Sequence, residues 1–516
     1  MTWHPEIDEL KHRQELARQM GGPEGVARQH KRGKLTVRER IALLGDPGSF
    51  QEIGGLAGRG TYENGKLAEF TPANALIGTC RVDGRKVVLS GGDFTVRGGS
   101  AEAAVADKRG HAEGIAMEWR FPYVRLLDAT GGSVKSFEKM GRTYIPGKPG
   151  PAKPWDMLSI IPVVSAVMGS VAGLPAVEAC LAHFNLMVKG TSQVFVGGPP
   201  VVKAALGYDI PKEGLGNEEI QVAGNGVIEN LAEDEEDAFR IIRRFLSYMP
   251  RHVWELPPRR EAVDPKDRSA EELLSIIPRD HKKAYDPYAI LDRVLDGDSL
   301  FEIAPLYGGS RIVGLARVNG YAVGVMCNNP NVSGGATDVA AGEKITRFLK
   351  LCDTFHLPMV YFADEPGFMV GLEAEKQGIV RAGARLVLAT RDTRVPWITF
   401  VTRQLYGVAG GCHARTGGMF RRYAWPSGNW GSMHISGGVT AAYRREIDNA
   451  PDPEAKKAEI EARLNGITSP FRSAEAFDME DIIDPRETRA LLCDFLEDAQ
   501  AVLREQFGPP AIPYRP

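Results

Sequence analysis

The chain has 516 residues, of which 43% are hydrophobic and 25% charged, enough for two or more domains with sizeable cores. A formal net charge of −3 gives no electrostatic reason to expect a nucleic-acid partner. The six cysteines are scattered with no Cys-x-x-Cys pair, which argues against a zinc ribbon or disulfide framework and suits a reducing, cytoplasmic setting.

The opening, MTWHPEIDELKHRQ, is polar and is read as carrying no secretory signal. Residues 6–20 predict an exposed helix. The basic stretch 29–40 that follows reads as a solvated charged face, with Thr36 and Glu39 spaced as a capping box at a helix start. From residue 75 strand-like and helix-like pieces alternate: Lys86 to Ser90, Ala101 to Trp119, Tyr123 to Leu127. That rhythm implies a mostly parallel sheet covered by helices. Leu158 to Val177 is a run of 20 residues without a charge, but Pro162, Gly169, Gly173 and Pro175 interrupt it. We read it as a buried strand, Ile161 to Val167, and a glycine turn, 168–175, rather than a membrane span. Glu233 to Met249 places acids before arginines, as a helix dipole favours. Glu255 to Asp286 is rich in charge and proline and reads as a linker. A second buried strand, Val395 to Thr402, precedes a second small-residue turn, Gln404 to Cys412. A charged helix is expected over 451–464 and a last helix over 490–506, with a turn-like stretch, 481–489, between them.

The rhythm repeats in sequence. Val-Asp before Gly84 matches Val-Asn before Gly320. Gly98-Gly99 matches Gly334-Gly335, Lys108 matches Lys344, Pro122 matches Pro358, and Asp128 matches Asp364. Each pair is 236 residues apart (320 − 84; 364 − 128). A spacing held over five landmarks marks a duplicated α/β domain. The predicted division is an N-terminal domain over 1–262, a linker over 263–286 and a C-terminal domain over 287–516.

Side-chain machinery is scarce. The sequence holds no His-Glu-x-x-His, no P-loop and no Gly-x-Ser-x-Gly elbow, and the ten histidines form no metal-ligand spacing. His413 and Cys412 adjoin the second glycine turn, but no partner base can be named for the thiol. Backbone chemistry is what the pattern offers. A glycine turn at a strand end presents amide N–H groups to developing negative charge, and two such turns suit a reaction with two oxyanions.

Seven segments carry a resemblance: HKRGKLTVRERI (30–41), GGDFTVRGGS (91–100), the strand and turn at 163–175, SQVFVGGPPVVK (192–203), DEPGFMVG (364–371), GIVRAGARLV (378–387) and DIIDPRETR (481–489). With them the chain resembles, over nearly its whole length, the carboxyltransferase subunit of biotin-dependent acyl-CoA carboxylases, the propionyl-CoA carboxylase beta type. The resemblance implies two crotonase-like domains per chain, a homo-hexameric core, and transfer of carboxylate from N1-carboxybiotin to the α-carbon of an acyl-CoA. In the family reaction the biotin ureido anion is the base. It further implies that the backbone of Gly173 and Leu174 holds the acyl-CoA enolate oxygen, and that of Val408 and Ala409 the biotin ureido oxygen. Gly131, Gly132, Gly367, Phe368 and Gly411 are expected at the substrate, and Arg97 and Lys108, with Arg109 and Lys135, at the CoA phosphates. No metal is expected. The chain has no Ala-Met-Lys-Met motif, so biotin must arrive on a biotin carboxylase or biotin carboxyl carrier partner.

Departures from the family pattern concern the substrate. The first turn reads Ala172-Gly173-Leu174-Pro175 in place of the common Ala-Gly-Gly-Ala. In the second, Gly411 occupies the position that usually carries an aspartate and helps set acyl preference. This implies a roomier acyl site than one for propionyl-CoA. The usual Ser-Gly-Gly-Ala-Arg-Ile-Gln-Glu has become Thr130 to Phe137, and a proline-rich insert, Tyr144 to Trp155, is a possible lid. A decarboxylase running the same chemistry in reverse and a non-catalytic assembly subunit are the alternatives.

Overall fold

The computed structural model describes residues 2–105, 107–145, 154–414 and 417–516. Most of the proline-rich insert therefore lies outside the described residues. The chain divides into two compact units, Met1–Glu255 with Gly508–Pro516, and Leu256–Phe507.

Each unit is built on an eight-stranded sheet, and the strand order is the same in both. In the first unit an antiparallel hairpin, Ala75–Val82 and Arg85–Gly92, leads into parallel strands Tyr123–Ala129, Val163–Ala172, Phe184–Val188 and Asn230–Ala232. In the second the hairpin is Arg311–Val318 and Tyr321–Asn328, followed by Met359–Glu365, Trp397–Tyr406, Phe420–Ala424 and Asp481–Ile482. The matched glycines are the hairpin corners. Asp83-Gly84 and Asn319-Gly320 are left-handed throughout (φ 50°, 75°, 50° and 76°). This is the geometry for which Asp-Gly and Asn-Gly are the preferred pairs. The carboxylates of Asp46 and Asp296 each accept both corner amides.

The long strand of each unit forks. Its first half pairs with Phe184–Val188, or Phe420–Ala424 in the second unit. Its last three residues pair instead with Gln193–Phe195, or Asn429–Gly431. Both strands thus run further than the sequence reading, which stopped them at Val167 and Thr402. The misleading residue in the first is Gly169. It lies inside the strand because a Cβ there would sit 2.2 Å from Asp128 Oδ1 and 2.5 Å from Lys34 Nζ.

Apolar faces close the layers. Helix Glu235–Tyr248, capped by the Asp234 side chain, buries Phe239, Ile242, Phe245 and Leu246, and Phe245 stacks on Phe184 at 4.7 Å. Helix Val339–Thr354, capped by Asp338, buries Ile345, Phe348, Leu349 and Cys352. Each such side chain contributes about 1.5–3 kcal/mol on leaving water. Residues 263–286 pack with the second unit, where Leu273 and Tyr285 are core residues. Residues 508–516 belong to the first. Gly508 N–H donates to Val253 O (2.8 Å), Tyr514 N–H donates to Ser159 Oγ (3.1 Å), and the buried Tyr514 ring packs against His183 at 4.3 Å.

The basic stretch is not a solvated face. Thr36 and Glu39 do form the capping box of helix Val37–Leu44. Lys34 and Arg40, however, are buried and converge on the fully buried Asp128, at 2.8 Å and 3.0 Å. Arg40 also forks onto Glu235, at 2.7 Å and 2.8 Å. Burial pushes the Lys34 ammonium pKa down. In the second unit the matching Asp364 is held by Arg403 (2.9 Å), Tyr285 Oη (3.0 Å) and Gln404 N (3.1 Å).

Candidate functional site

These buried carboxylates lie under the carboxyl ends of the parallel strands, where ligands bind in open α/β sheets. Three segments converge there in each unit. In the first, Ser100 and Gly131 form a parallel bridge, and Ala101 N–H donates to Gly131 O (2.8 Å). Gly131 is left-handed (φ 70°), and a Cβ on it would lie 2.7 Å from Ala172 O. Only glycine lets this loop rest on the strand end. In the second unit Thr337 and Phe368 form the equivalent bridge, and Thr337 N–H donates to Gly367 O (3.0 Å). Phe368 thus takes the place of Gly131 (368 − 131 = 237), and its ring covers Gly383, where a Cβ would be 3.0 Å away. Glu365 fixes this loop. Its Oε1 accepts Gly367 N–H (3.0 Å), and its Oε2 accepts Thr337 Oγ1–H (2.6 Å) and the buried Arg311.

The two turns follow. Val163–Ala172 ends at Gly173, and helix Leu174–Cys180 begins. Gly173 N–H donates to Val196 O (3.1 Å), whereas the Leu174 amide has no backbone acceptor among the described residues. Among the described residues the Leu174 amide, unlike that of Gly173, is thus left without a backbone partner, and the Leu174 side chain is 61% exposed. Trp397–Tyr406 ends at Gly407, and helix Gly407–Gly411 begins. The amides of Val408 and Ala409 fall in its first turn, where no intrahelical acceptor exists, and no other backbone group among the described residues supplies one. Two adjacent donors at a helix start form an anion-seeking site. His434 packs its ring on Tyr406 at 3.9 Å, with Nε2 3.0 Å from Pro366 O, tying the 366–371 loop to this turn.

Side chains near the second turn are structural. Burial pushes the His413 pKa down to about 4. Its neutral ring donates from Nδ1 to Gly410 O (2.6 Å) and accepts Arg422 Nη1–H at Nε2 (3.1 Å). Burial pushes the Cys412 thiol up to about 11, so it is no nucleophile at neutral pH. A Cβ on Gly411 would meet nothing within 4 Å, and the same holds for Gly132. Beside Gly411 lies a pocket of about 220 Å³, walled by Val401, Leu405, Trp430 and Met479. Among the described residues no group of three or more His, Cys, Asp or Glu side chains has a metal-holding arrangement.

The expected phosphate ligands do not gather. Arg97 lines a cleft of about 550 Å³ together with Arg28, Arg32 and Phe94. Lys108 instead turns inward, donating to Gly54 O (3.0 Å), and burial lowers its pKa. Arg109 faces Glu178 at 3.9 Å, and Lys135 is exposed on helix Lys135–Met140. Arg28 and Arg32 were missed because arginines in the last turn and at the C-cap of a helix carry no motif. Trp430 and Met479 were missed because they are distant in sequence from the turn they flank.

Known proteins match this architecture. The carboxyl transferase domain model matches residues 28–509. A propionyl-CoA carboxylase carboxyltransferase subunit of Haloferax mediterranei is 35% identical over 95% of this chain and 95% of its own. A methylmalonyl-CoA decarboxylase subunit alpha of Veillonella parvula is 31% identical over 92% of both chains. The crystal structure of transcarboxylase 12S, a hexamer with methylmalonyl-coenzyme A and methylmalonic acid bound, superimposes with a TM-score of 0.86 at 30% identity, covering 97% of this chain and 96% of that one. The duplicated α/β sheets are thus crotonase-like domains. No helix among the described residues is long and apolar enough to cross a membrane. With its two sheets, its two turns and these relatives, the chain belongs to the carboxyl transferase family, enzymes of biotin-dependent carboxyl transfer on CoA esters.

Proposed function

We propose that this chain is the carboxyltransferase subunit of an acyl-CoA carboxylase and moves carboxylate from carboxybiotin to the α-carbon of an acyl-CoA. The observation that carries the reading is the amide pair of Val408 and Ala409, without a backbone acceptor among the described residues, mirrored by Leu174 at the equivalent strand end of the other unit. Biotin, carried by a biotin carboxylase or carrier partner, supplies the carboxylate and the proton acceptor. Val408 and Ala409 suit its ureido oxygen, since they give two adjacent N–H donors at a helix start. Leu174 N–H is the donor for the thioester oxygen as it gains negative charge. Gly131 and Gly132 let the thioester lie against the first turn, while Gly367 and Phe368 flank the biotin side. Gly411 leaves space beside the acyl group, which favours acyl groups larger than propionyl. Arg97, with Arg28 and Arg32, offers the CoA phosphates positive charge.

In this reading the first unit, Met1–Glu255 with Gly508–Pro516, is the acyl-CoA side, and the second, Leu256–Phe507, which takes in the expected linker, is the biotin side. The chain works as a homo-hexamer, as transcarboxylase 12S does. Its six free cysteines suit the cytoplasm.

The test is ATP- and bicarbonate-dependent carboxylation by this chain reconstituted with its biotinylated partner, scanned over acyl-CoAs from acetyl to long, branched and aromatic. A clear preference for one acyl class supports the reading. Propionyl-CoA far ahead of all larger substrates refutes the roomier site. Silence across the panel with a verified biotinylated partner overturns the carboxylase reading in favour of a decarboxylase or an assembly subunit.

A further inference from the structure

The two units differ in what lies beneath their strand ends. In the first, Ala75, Ala101 and Ala129 stand where the second has Arg311, Thr337 and Glu365, each 236 residues later (311 − 75; 337 − 101; 365 − 129). The backbone bond is the same in both: Ala101 N–H donates to Gly131 O (2.8 Å), and Thr337 N–H donates to Gly367 O (3.0 Å). In the second unit alone it is backed by a buried polar cluster of Arg311, Asn328, Thr337, Tyr361 and Glu365. Arg311 donates from Nη2 to Glu365 Oε2 and to Thr337 Oγ1 (2.7 Å), and from Nη1 to Tyr361 Oη (2.5 Å). Thr337 Oγ1–H donates to Glu365 Oε2 (2.6 Å), and Tyr361 Oη–H to Asn328 Oδ1 (2.7 Å). The other carboxylate oxygen, Oε1, accepts Gly367 N–H (3.0 Å).

Stability does not account for this cluster. A buried ion pair is commonly no more stabilising than apolar residues of the same volume. Arg311 Nε–H has no acceptor among the described residues, a desolvation cost that nothing there offsets. The first unit makes the matching backbone bond with alanines at all three positions. What the cluster adds is a fixed position for the 366–371 loop. That loop is tied to the second turn, since His434 Nε2–H donates to Pro366 O (3.0 Å) and the His434 ring packs at 3.9 Å on Tyr406, the residue before Gly407. We propose that Glu365, oriented by Arg311 and Thr337, is a positioning residue for biotin: it holds Gly367 and Phe368 where the biotin ring is seated with its ureido oxygen on the Val408 and Ala409 amides. The inference rests on the carboxyltransferase reading above.

The test runs the transfer backwards on the full-length chain, from the carboxylated form of the acyl-CoA selected by the panel above to free biotin, so that partner docking does not enter. Rates are referred to the folded fraction measured by calorimetry. Thr337→Val removes the hydroxyl that joins Arg311 to Glu365, and Thr337→Ser keeps it. Arg311→Met combined with Glu365→Leu removes both charges at once, so neither is left buried alone. Misplacement by about 1 Å can cost about 10²-fold. Thr337→Val and the double variant are therefore expected to lower kcat/KM for biotin at least tenfold, with the KM for the CoA ester within about twofold of wild type. Thr337→Ser should stay within about threefold on both. A double variant within about twofold of wild type per folded molecule overturns the proposal, because the cluster then only stabilises the fold. So does a KM for the CoA ester that rises as far as that for biotin, or a Thr337→Ser as impaired as Thr337→Val. If no CoA ester reacts, hydrogen exchange decides. Biotin that protects 366–371 and 407–411 in the wild type but not in the double variant upholds the positioning role while the reaction assignment falls. Biotin that protects neither segment in the wild type overturns the positioning role.

Discussion

Replacing Val408 by proline deletes one hydrogen-bond donor and little else. The Val408 side chain is 68% exposed, so no core packing is lost. Its N–H has no acceptor among the described residues, so no structural hydrogen bond among them is broken. Proline is tolerated in the first turn of a helix for that reason. A proline also bars the preceding residue from the right-handed helical region, but Gly407 has φ 63° and does not occupy it. If the amide holds an oxyanion in the transition state, its removal costs about 2.7–4 kcal/mol, a fall of about 10²–10³ in kcat. The assay is steady-state carboxylation with the biotinylated partner, alongside thermal unfolding. We expect Val408→Pro to lose that factor with its melting temperature within about 2 °C of wild type. Val408→Ala, which keeps the N–H, should lose less than tenfold. A Val408→Pro enzyme retaining more than one-fifth of wild-type kcat refutes backbone oxyanion stabilisation at this turn.

Three further outcomes are expected. Gly131→Ala forces a left-handed Cβ to 2.7 Å from Ala172 O, so it should cost at least 1–2 kcal/mol in urea unfolding, on the order set by left-handed strain, and raise the KM for acyl-CoA. Asp128→Asn leaves Lys34 and Arg40 facing each other without the carboxylate that pairs them. Breaking one partner of a buried ion group costs about 3–5 kcal/mol, and calorimetry should show the first unit melting at least several degrees lower, with a wild-type transition for the second. His413 has its pKa held below the unfolded value of 6.5, at about 4. Above pH 6.5 both states are neutral and the stability is intact. As pH falls from 6.5 towards 4 the unfolded state takes the proton first, so roughly 3 kcal/mol drains away at about 1.4 kcal/mol per unit. His413→Gln should flatten that part of the stability–pH curve, and an unchanged slope would sink the assignment.

Much of the fold could be read from the sequence because its repeats are tied to backbone needs. Gly84 and Gly320 recur since both hairpin corners are left-handed, and Asp128 and Asp364 recur since each is the buried anchor under a strand end. The Thr36–Glu39 box marked its helix for the same local reason. What failed to show was anything set by contacts distant in sequence. Lys34 and Arg40 read as solvated because their partners Asp128 and Glu235 lie 94 and 195 residues away. Periodicity ended the first long strand too early because Gly169 answers to an ion pair rather than to strand propensity. At the site the glycines were legible, but whether each amide was already engaged was not. Gly173 and Leu174 are neighbours of similar local character, and only the position of Val196 O separates a used donor from an unused one.

The segment 508–516 imposes an order on biogenesis. It completes the first unit, yet the ribosome makes it only after the whole of the second, 253 residues later (508 − 255). At synthesis rates of about 5–20 residues per second, that is a delay of roughly 10–50 s. During it the first unit lacks Tyr514 against His183 and the Gly508–Val253 hydrogen bond. A nascent first unit should therefore be open to chaperones at that seam, and ribosome-stalled chains ending before residue 508 should be cleaved there faster than the released protein.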